Sequence, residues 1–259
     1  MSMLAEKLLS CREERGWSLR ELAEKACYDR ADLHKMEQGT KLGSEYIIGK
    51  LDALYGTGDL LSTLRLLAKA EGTRDKYRAY MRLEATATVL HEYAAATIPG
   101  LLQTEAYARE LIETAPRWDD GEVSQAVANS LERQGRLTTG APPHYRGLLD
   151  ESAFQRKLSD PESWRTQLSH LLHMSSRPNV RLQLVPFSAG LHDLAGGSLA
   201  LLWQADGSNS AYQESSKTGD LIEEPEDVAE LRLSYDLLRD SAFSPDETRS
   251  YIKRALEEI

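Results

Sequence analysis

The chain is poor in cysteine and in large aromatics: 259 residues hold two Cys, three Phe and four Trp. Cys11 and Cys27 are too few for a disulfide framework, and neither belongs to a CxxC pair. No apolar run approaches the ~20 residues that a membrane span needs. The opening MSMLAEKLLSCREERG is too charged to read as a signal peptide, so a cytoplasmic protein without a membrane role is expected. Also missing are a GxSxG elbow, a GxxxxGK phosphate loop, HExxH and GxGxxG. His170 and His173 lie three apart and flank Leu171-Leu172 with no obvious carboxylate ligand, so no metal site is expected there. Catalysis and a cofactor are therefore not expected.

Positive charge is in deficit overall, at 31 Lys and Arg against 41 Asp and Glu, a net charge of −10. The deficit is unevenly placed. Residues 1–70 carry eleven basic and eleven acidic side chains, whereas the remainder carries twenty basic and thirty acidic. A neutral first segment followed by an acidic second one suggests two parts with different tasks.

The first part reads as five short helices. Leu4, Leu8 and Cys11 recur at helical spacing and Gly16 stops the run. Ser18 with Glu21 three residues later forms a capping box ahead of Leu19, Leu22, Ala23 and Ala26. Asp29 is the next N-cap, before Leu33 and Met36, and Gly39 ends that helix. Ile47, Ile48, Leu51 and Leu54 make a fourth stripe, and Leu60, Leu61, Leu64 and Leu67 a fifth. The polar stretch Lys69–Lys76 suggests a boundary, with an all-α domain at 1–70, a linker at 71–76 and a second domain at 77–259.

The second domain reads as α+β with a small antiparallel sheet. Helical composition covers Tyr77–Glu92, Thr104–Glu113 and Glu122–Leu137, and further helices start at Asp160-Pro161, Pro225 and Ser244-Pro245. Strands are predicted at Tyr145–Leu149, at Val180–Leu184 by alternation, at Leu199–Trp203 and at Ala211–Glu214. Six acids within Asp220–Glu230 suit a solvated helix start better than a cation site.

Helix, tight turn, helix over Ser18–Gln38 fits the helix-turn-helix plan, although a plain helical bundle fits the spacing about as well. The residue strings go further. Ser18-Leu-Arg-Glu-Leu-Ala23 and Leu33-His-Lys-Met-Glu-Gln-Gly39 resemble the lambda-repressor-like (XRE) helix-turn-helix family. That resemblance implies binding to double-stranded DNA through the helix after Asp29. Arg30, Ala31 and Lys35 would face base edges, with His34 as a further contact; Arg or Lys suits guanine and the Ala methyl suits thymine. Ser18, Gln38, Thr40 and Lys41 match the family's phosphate-positioning sites. Arg12 and Glu37 stand where such domains often form an internal pair. The chain departs from the pattern in having Cys27 where Gly is usual in the turn, Asp29 as the cap, and Gly43 where Pro is common. Asp32, at the third helical position, is expected to support the cap. Zero local charge implies modest affinity per monomer, hence a homodimer on two half-sites.

Further strings, Ile98-Pro-Gly-Leu-Leu-Gln-Thr-Glu-Ala-Tyr-Ala-Arg109, Leu149–Ala153 and Arg177–Val180 with Leu184–Gly190, resemble the C-terminal domain of WhiJ-type regulators from filamentous actinobacteria. The resemblance implies a sensor or partner-binding module, with a small partner protein encoded nearby. Candidate ligand or partner residues are Gln103, Thr104, Glu151 and Glu214, each polar and next to an apolar strand or turn position. The competing reading makes Gln103 and Thr104 a helix cap and the two glutamates exposed strand ends. A DNA-binding regulator leads, with an antitoxin-like interaction protein as the alternative and an enzyme with a DNA-targeting head last.

Overall fold

In the computed structural model, which describes residues 3–115, 119–138, 140–215 and 218–259, the N-terminal segment is a run of helices. These are α1 Met3–Glu14, α2 Leu19–Ala26, α3 Arg30–Glu37, α4 Glu45–Tyr55 and α5 Leu60–Thr86. Ser18 caps α2 in a full capping box with Glu21, Asp29 caps α3 through the Asp32 amide, and Ser44 caps α4. Each cap satisfies an amide that the first helical turn leaves without a partner. The apolar stripes then meet in one core that includes Leu8, Leu22, Leu33, Met36, Ile48 and Leu51.

The fifth helix runs far beyond its apolar stripe. Residues 71–76, expected as a linker, are helical and belong to α5. The stretch has no proline and a single glycine, Gly72, so nothing in it breaks a helix whose ends are held elsewhere. The chain divides into two compact units at 76/77, inside this helix.

The second unit holds a six-stranded sheet. Its strands are β1 Val89–Ala94, β2 His144–Asp150, β3 Val180–Val185, β4 Ser198–Trp203, β5 Asn209–Glu214 and β6 Gly219–Ile222, in the order β3-β2-β1-β4-β5-β6. The expectation of a small antiparallel sheet is corrected: β1, β2 and β3 pair in parallel, while β4, β5 and β6 add antiparallel. Parallel pairing requires long crossovers. Here they are α6 Glu105–Glu113 and α7 Asp120–Gln134 between β1 and β2, then α8 Ser152–Gln155 and α9 Pro161–Ser175 between β2 and β3. The helix expected over Tyr77–Glu92 ends at Thr86, and its last residues enter the central strand β1. Two helices close the chain, α10 Pro225–Asp240 and α11 Pro245–Glu257.

Each sheet face has its own core. Leu90, Leu149, Leu182 and Leu202 cluster with Trp164 and Leu168 of α9 and Ile252 of α11. Tyr93, Leu148, Val185 and Leu201 cluster with Val228, Tyr235 and Leu238 of α10. Neighbouring β1 residues place one titratable group on each face. Glu92 accepts the Tyr145 hydroxyl at 2.8 Å, and burial, helped by the nearby Glu84 charge, pushes its carboxyl up to about 7. His91 stacks on Tyr235, and burial followed by the Arg146 charge pulls its imidazole down to about 4.

The two groups act on stability in opposite directions. Glu92, raised from 4.5, contributes stability that is complete at low pH and lost as pH rises through about 7. His91, lowered from 6.5, contributes stability that is present above that value and lost as pH falls through about 4. Each effect is of order 1–3 kcal/mol. Thermal melts between pH 5 and 6.5 should therefore show Glu92→Gln gaining stability with rising pH more steeply than the parent, and His91→Gln the reverse. Parallel profiles for all three proteins would reject this balance.

Candidate nucleic-acid interface

The turn between α2 and α3 is tight because Cys27 adopts a left-handed conformation, φ 45° and ψ 52°. It is the one non-glycine residue with positive φ among the described residues. Its amide returns to the Ala23 and Glu24 carbonyls, closing α2 and turning the chain into the Asp29 cap. Cys27 thus holds a backbone shape that glycine favours.

Behind α3, Arg12 of α1 grips Glu37 with two bonds, Nε to Oε1 at 2.7 Å and Nη2 to Oε2 at 3.0 Å. A third bond runs from Arg12 Nη1 to the Trp17 carbonyl at 2.9 Å. Glu37 is 2% exposed, so this is a desolvated pair with its hydrogen bonds made. A second buried carboxylate, Asp52, organises the other side. Burial opposes its charge, but bonds from Thr57, from the Leu61 amide and from the Ser62 amide and hydroxyl outweigh burial and hold its carboxyl low. No local sequence pattern marks Asp52 as the anchor of α5, because its partners lie in the turn and helix that follow.

With its rear face fixed, α3 turns Arg30, Ala31, His34 and Lys35 outwards, all four exposed. Four of the expected contact residues, Ser18, Arg30, Ala31 and His34, line one open depression together with Leu19 and Arg20. Arg20 was not among the expected contacts; its place two residues after the cap was the available signal. It forms an exposed pair with Glu24. The Ser18 hydroxyl is engaged in its capping box, accepting from the Glu21 amide and donating to the Glu21 carboxylate. Gln38, Thr40 and Lys41 sit beyond the other end of α3 and are exposed. Thr40 is tied to the Lys35 carbonyl, and the Lys41 ammonium is paired with Asp32 at 2.5 Å. Asp32 thus has a second role beside its amide's part in the cap.

The four candidate residues of the second unit serve separate local structures. Gln103 is buried and donates to the Ile98 carbonyl, and Thr104 caps α6 while its amide donates to Gln167. Glu151 accepts from the Phe187 amide and from the Tyr251 hydroxyl. Glu214 ends β5, and burial raises its carboxyl with Arg133 opposing. No hydrogen bond joins any of the four to another among the described residues.

The first unit therefore has the geometry of a helix-turn-helix domain, and residues 4–67 match a helix-turn-helix domain model. Residues 77–254 match a domain of unknown function, DUF5753, which spans more than half of the sequence; the chain belongs to that family. No curated protein and no solved structure matches it. No helix among the described residues is long and apolar enough to cross a membrane.

Two substitutions test this geometry. Cys27→Gly should stabilise the protein by about 0.5–1 kcal/mol by relieving the left-handed backbone, read as a higher melting temperature. Asp32→Asn should free Lys41, tighten duplex DNA binding whatever the sequence, and steepen its salt dependence. Weaker binding in that variant would show that the Asp32–Lys41 pair positions the loop instead of masking a charge.

Proposed function

We propose that the protein is a sequence-specific, cytoplasmic transcriptional regulator of the lambda-repressor-like type, acting as a homodimer without catalytic activity or cofactor. Its C-terminal unit is an effector or partner domain, as the likeness to WhiJ-type regulators implies. One observation carries the reading. On a helix pinned from behind by Arg12 and Glu37, the Arg30, His34 and Lys35 side chains make no hydrogen bond or ion pair among the described residues. The Arg30 and Lys35 cations, left free on an ordered helix beside the His34 ring, suit guanine edges and phosphates.

A second reading, an antitoxin-like protein that holds a small partner, is favoured by α10, which exposes Leu233 and Leu237 one turn apart. DNA affinity selected in vitro separates the two. A defined operator bound by the full chain supports the regulator, whereas tight partner binding without DNA affinity supports the alternative.

On a selected operator, Arg30→Ala should cost about 1–3 kcal/mol and relax the preference at one base pair. Lys41→Ala should weaken all sequences about equally. Sedimentation should show a dimer on DNA with half-sites about 34 Å apart. Unchanged operator binding in both variants would place the docking face elsewhere.

A further inference from the structure

The second unit is acidic, with 18 basic and 28 acidic side chains over residues 77–259, yet one part of its sheet concentrates positive charge. The pairing of β1 with β2 sets His91 beside Arg146, and that of β2 with β3 sets Arg146 beside Arg181. Neighbouring strands lie about 4.8 Å apart, so an uncharged imidazole and two guanidinium groups form a row on the face that α10 covers. Like charges directly across neighbouring strands repel. The row is tied to α10 by Tyr235, whose hydroxyl donates to the Arg146 carbonyl and whose ring stacks on His91.

Compensation for this charge is incomplete. From α10, Arg232 and Arg239 add two more guanidinium groups, and the Asp236 carboxylate is taken up by both, at 3.7 and 2.7 Å. Asp240 turns to Arg239 as well. Glu92 belongs to the opposite face. Arg181 reaches only the backbone carbonyls of Arg177, Pro178 and Val180. Arg146, half-buried at the middle of the row, makes no hydrogen bond or ion pair through its guanidinium with any described residue. A planar fork of donors without a partner, carried on an ordered strand, suits two oxygens of one group. Trp203, packed edge-on against His91 and beneath Arg232, gives the position an aromatic wall.

We infer that the rim between α10 and strands β1 and β2 is an oxyanion site, binding a phosphate- or carboxylate-bearing small molecule through Arg146 with Arg232 alongside. The site deepens the reading of this unit as an effector domain and rests on it only for its regulatory meaning. Binding is read directly, so its failure is distinguishable from failure to bind an operator.

The test is calorimetric titration of the full chain with inorganic phosphate, pyrophosphate and citrate, at constant ionic strength set by chloride. Saturable binding of at least one is expected, and preference for the phosphates or for citrate decides which oxyanion the site takes. Arg146→Gln should weaken binding about tenfold or more, with Arg146→Lys between it and the parent, since lysine keeps the charge but loses the fork. In parallel, the His91 ring resonances should titrate at higher pH when the anion is bound, because a neighbouring negative charge favours the imidazolium. If Arg146→Gln does not fold, the exposed Arg232→Gln carries the same comparison. Heats no different from chloride, or equal affinity in the parent and both glutamine variants, would overturn the proposal.

Discussion

The helix-turn-helix unit depends on one desolvated ion pair. Arg12 lies on α1 and Glu37 at the end of α3, and their two parallel bonds hold α3 from its rear face. Placing a carboxylate at 2% exposure is costly in itself, and removing either partner of such a pair costs about 3–5 kcal/mol. The third Arg12 nitrogen, Nη1, donates to the Trp17 carbonyl, in the residue just before the α2 cap. One guanidinium therefore positions the end of α3 and the start of α2 together. What α3 presents outwards follows from this: with Leu33, Met36 and Glu37 facing in, helical periodicity leaves Ala31, His34 and Lys35 facing out, while Arg30 is exposed as the first residue of the helix.

The second unit uses buried polar groups differently. Around its first sheet face, Glu84 receives two bonds from Arg133 and one from the Tyr80 hydroxyl, while Tyr80 stacks on Tyr212 at 4.4 Å. Glu92, nearby in the same layer, has a tyrosine hydroxyl and no guanidinium bond. Glu84 is met by a cation and a donor, whereas burial drives Glu92 towards its neutral form.

How much of this was legible in the sequence depended on the distance between partners. The caps at Ser18, Asp29 and Ser244, and the proline starts at Pro161 and Pro225, act within one helical turn, so local residue patterns reveal them. The Arg12–Glu37 pair, 25 residues apart, was reached through resemblance to a family. Asp52, whose bonds reach nine and ten residues ahead, gave no local sign. The sheet was misjudged for a related reason. Four of its strands show apolar alternation or runs, but strand direction is fixed by the helices between them. β1, read as the end of a helix, is identified as a strand only by its partners β2 and β4. The four candidate residues of the second unit were chosen for polarity beside apolar positions. Arg146, inside a predicted strand, gains its interest from neighbours on two other strands that no linear reading brings together.

Net charge is a poor guide to local electrostatics in both units. In the first unit the charges sum to zero, but Asp29 is occupied in a cap, Asp32 with Lys41 and Glu37 with Arg12. The cations on the outer face of α3 keep their field, since the acids closest in sequence are already neutralised or turned inwards. In the second unit the acidic excess is spread over exposed helix starts such as Glu226 and Asp227 of α10, where water and the helix dipole stabilise it. Arg146 lies instead on a sheet face where solvent is partly excluded, and there an uncompensated guanidinium is screened less than a carboxylate at the surface. Local pairing and burial, more than net charge, therefore decide which charged groups of each unit stay available to a partner.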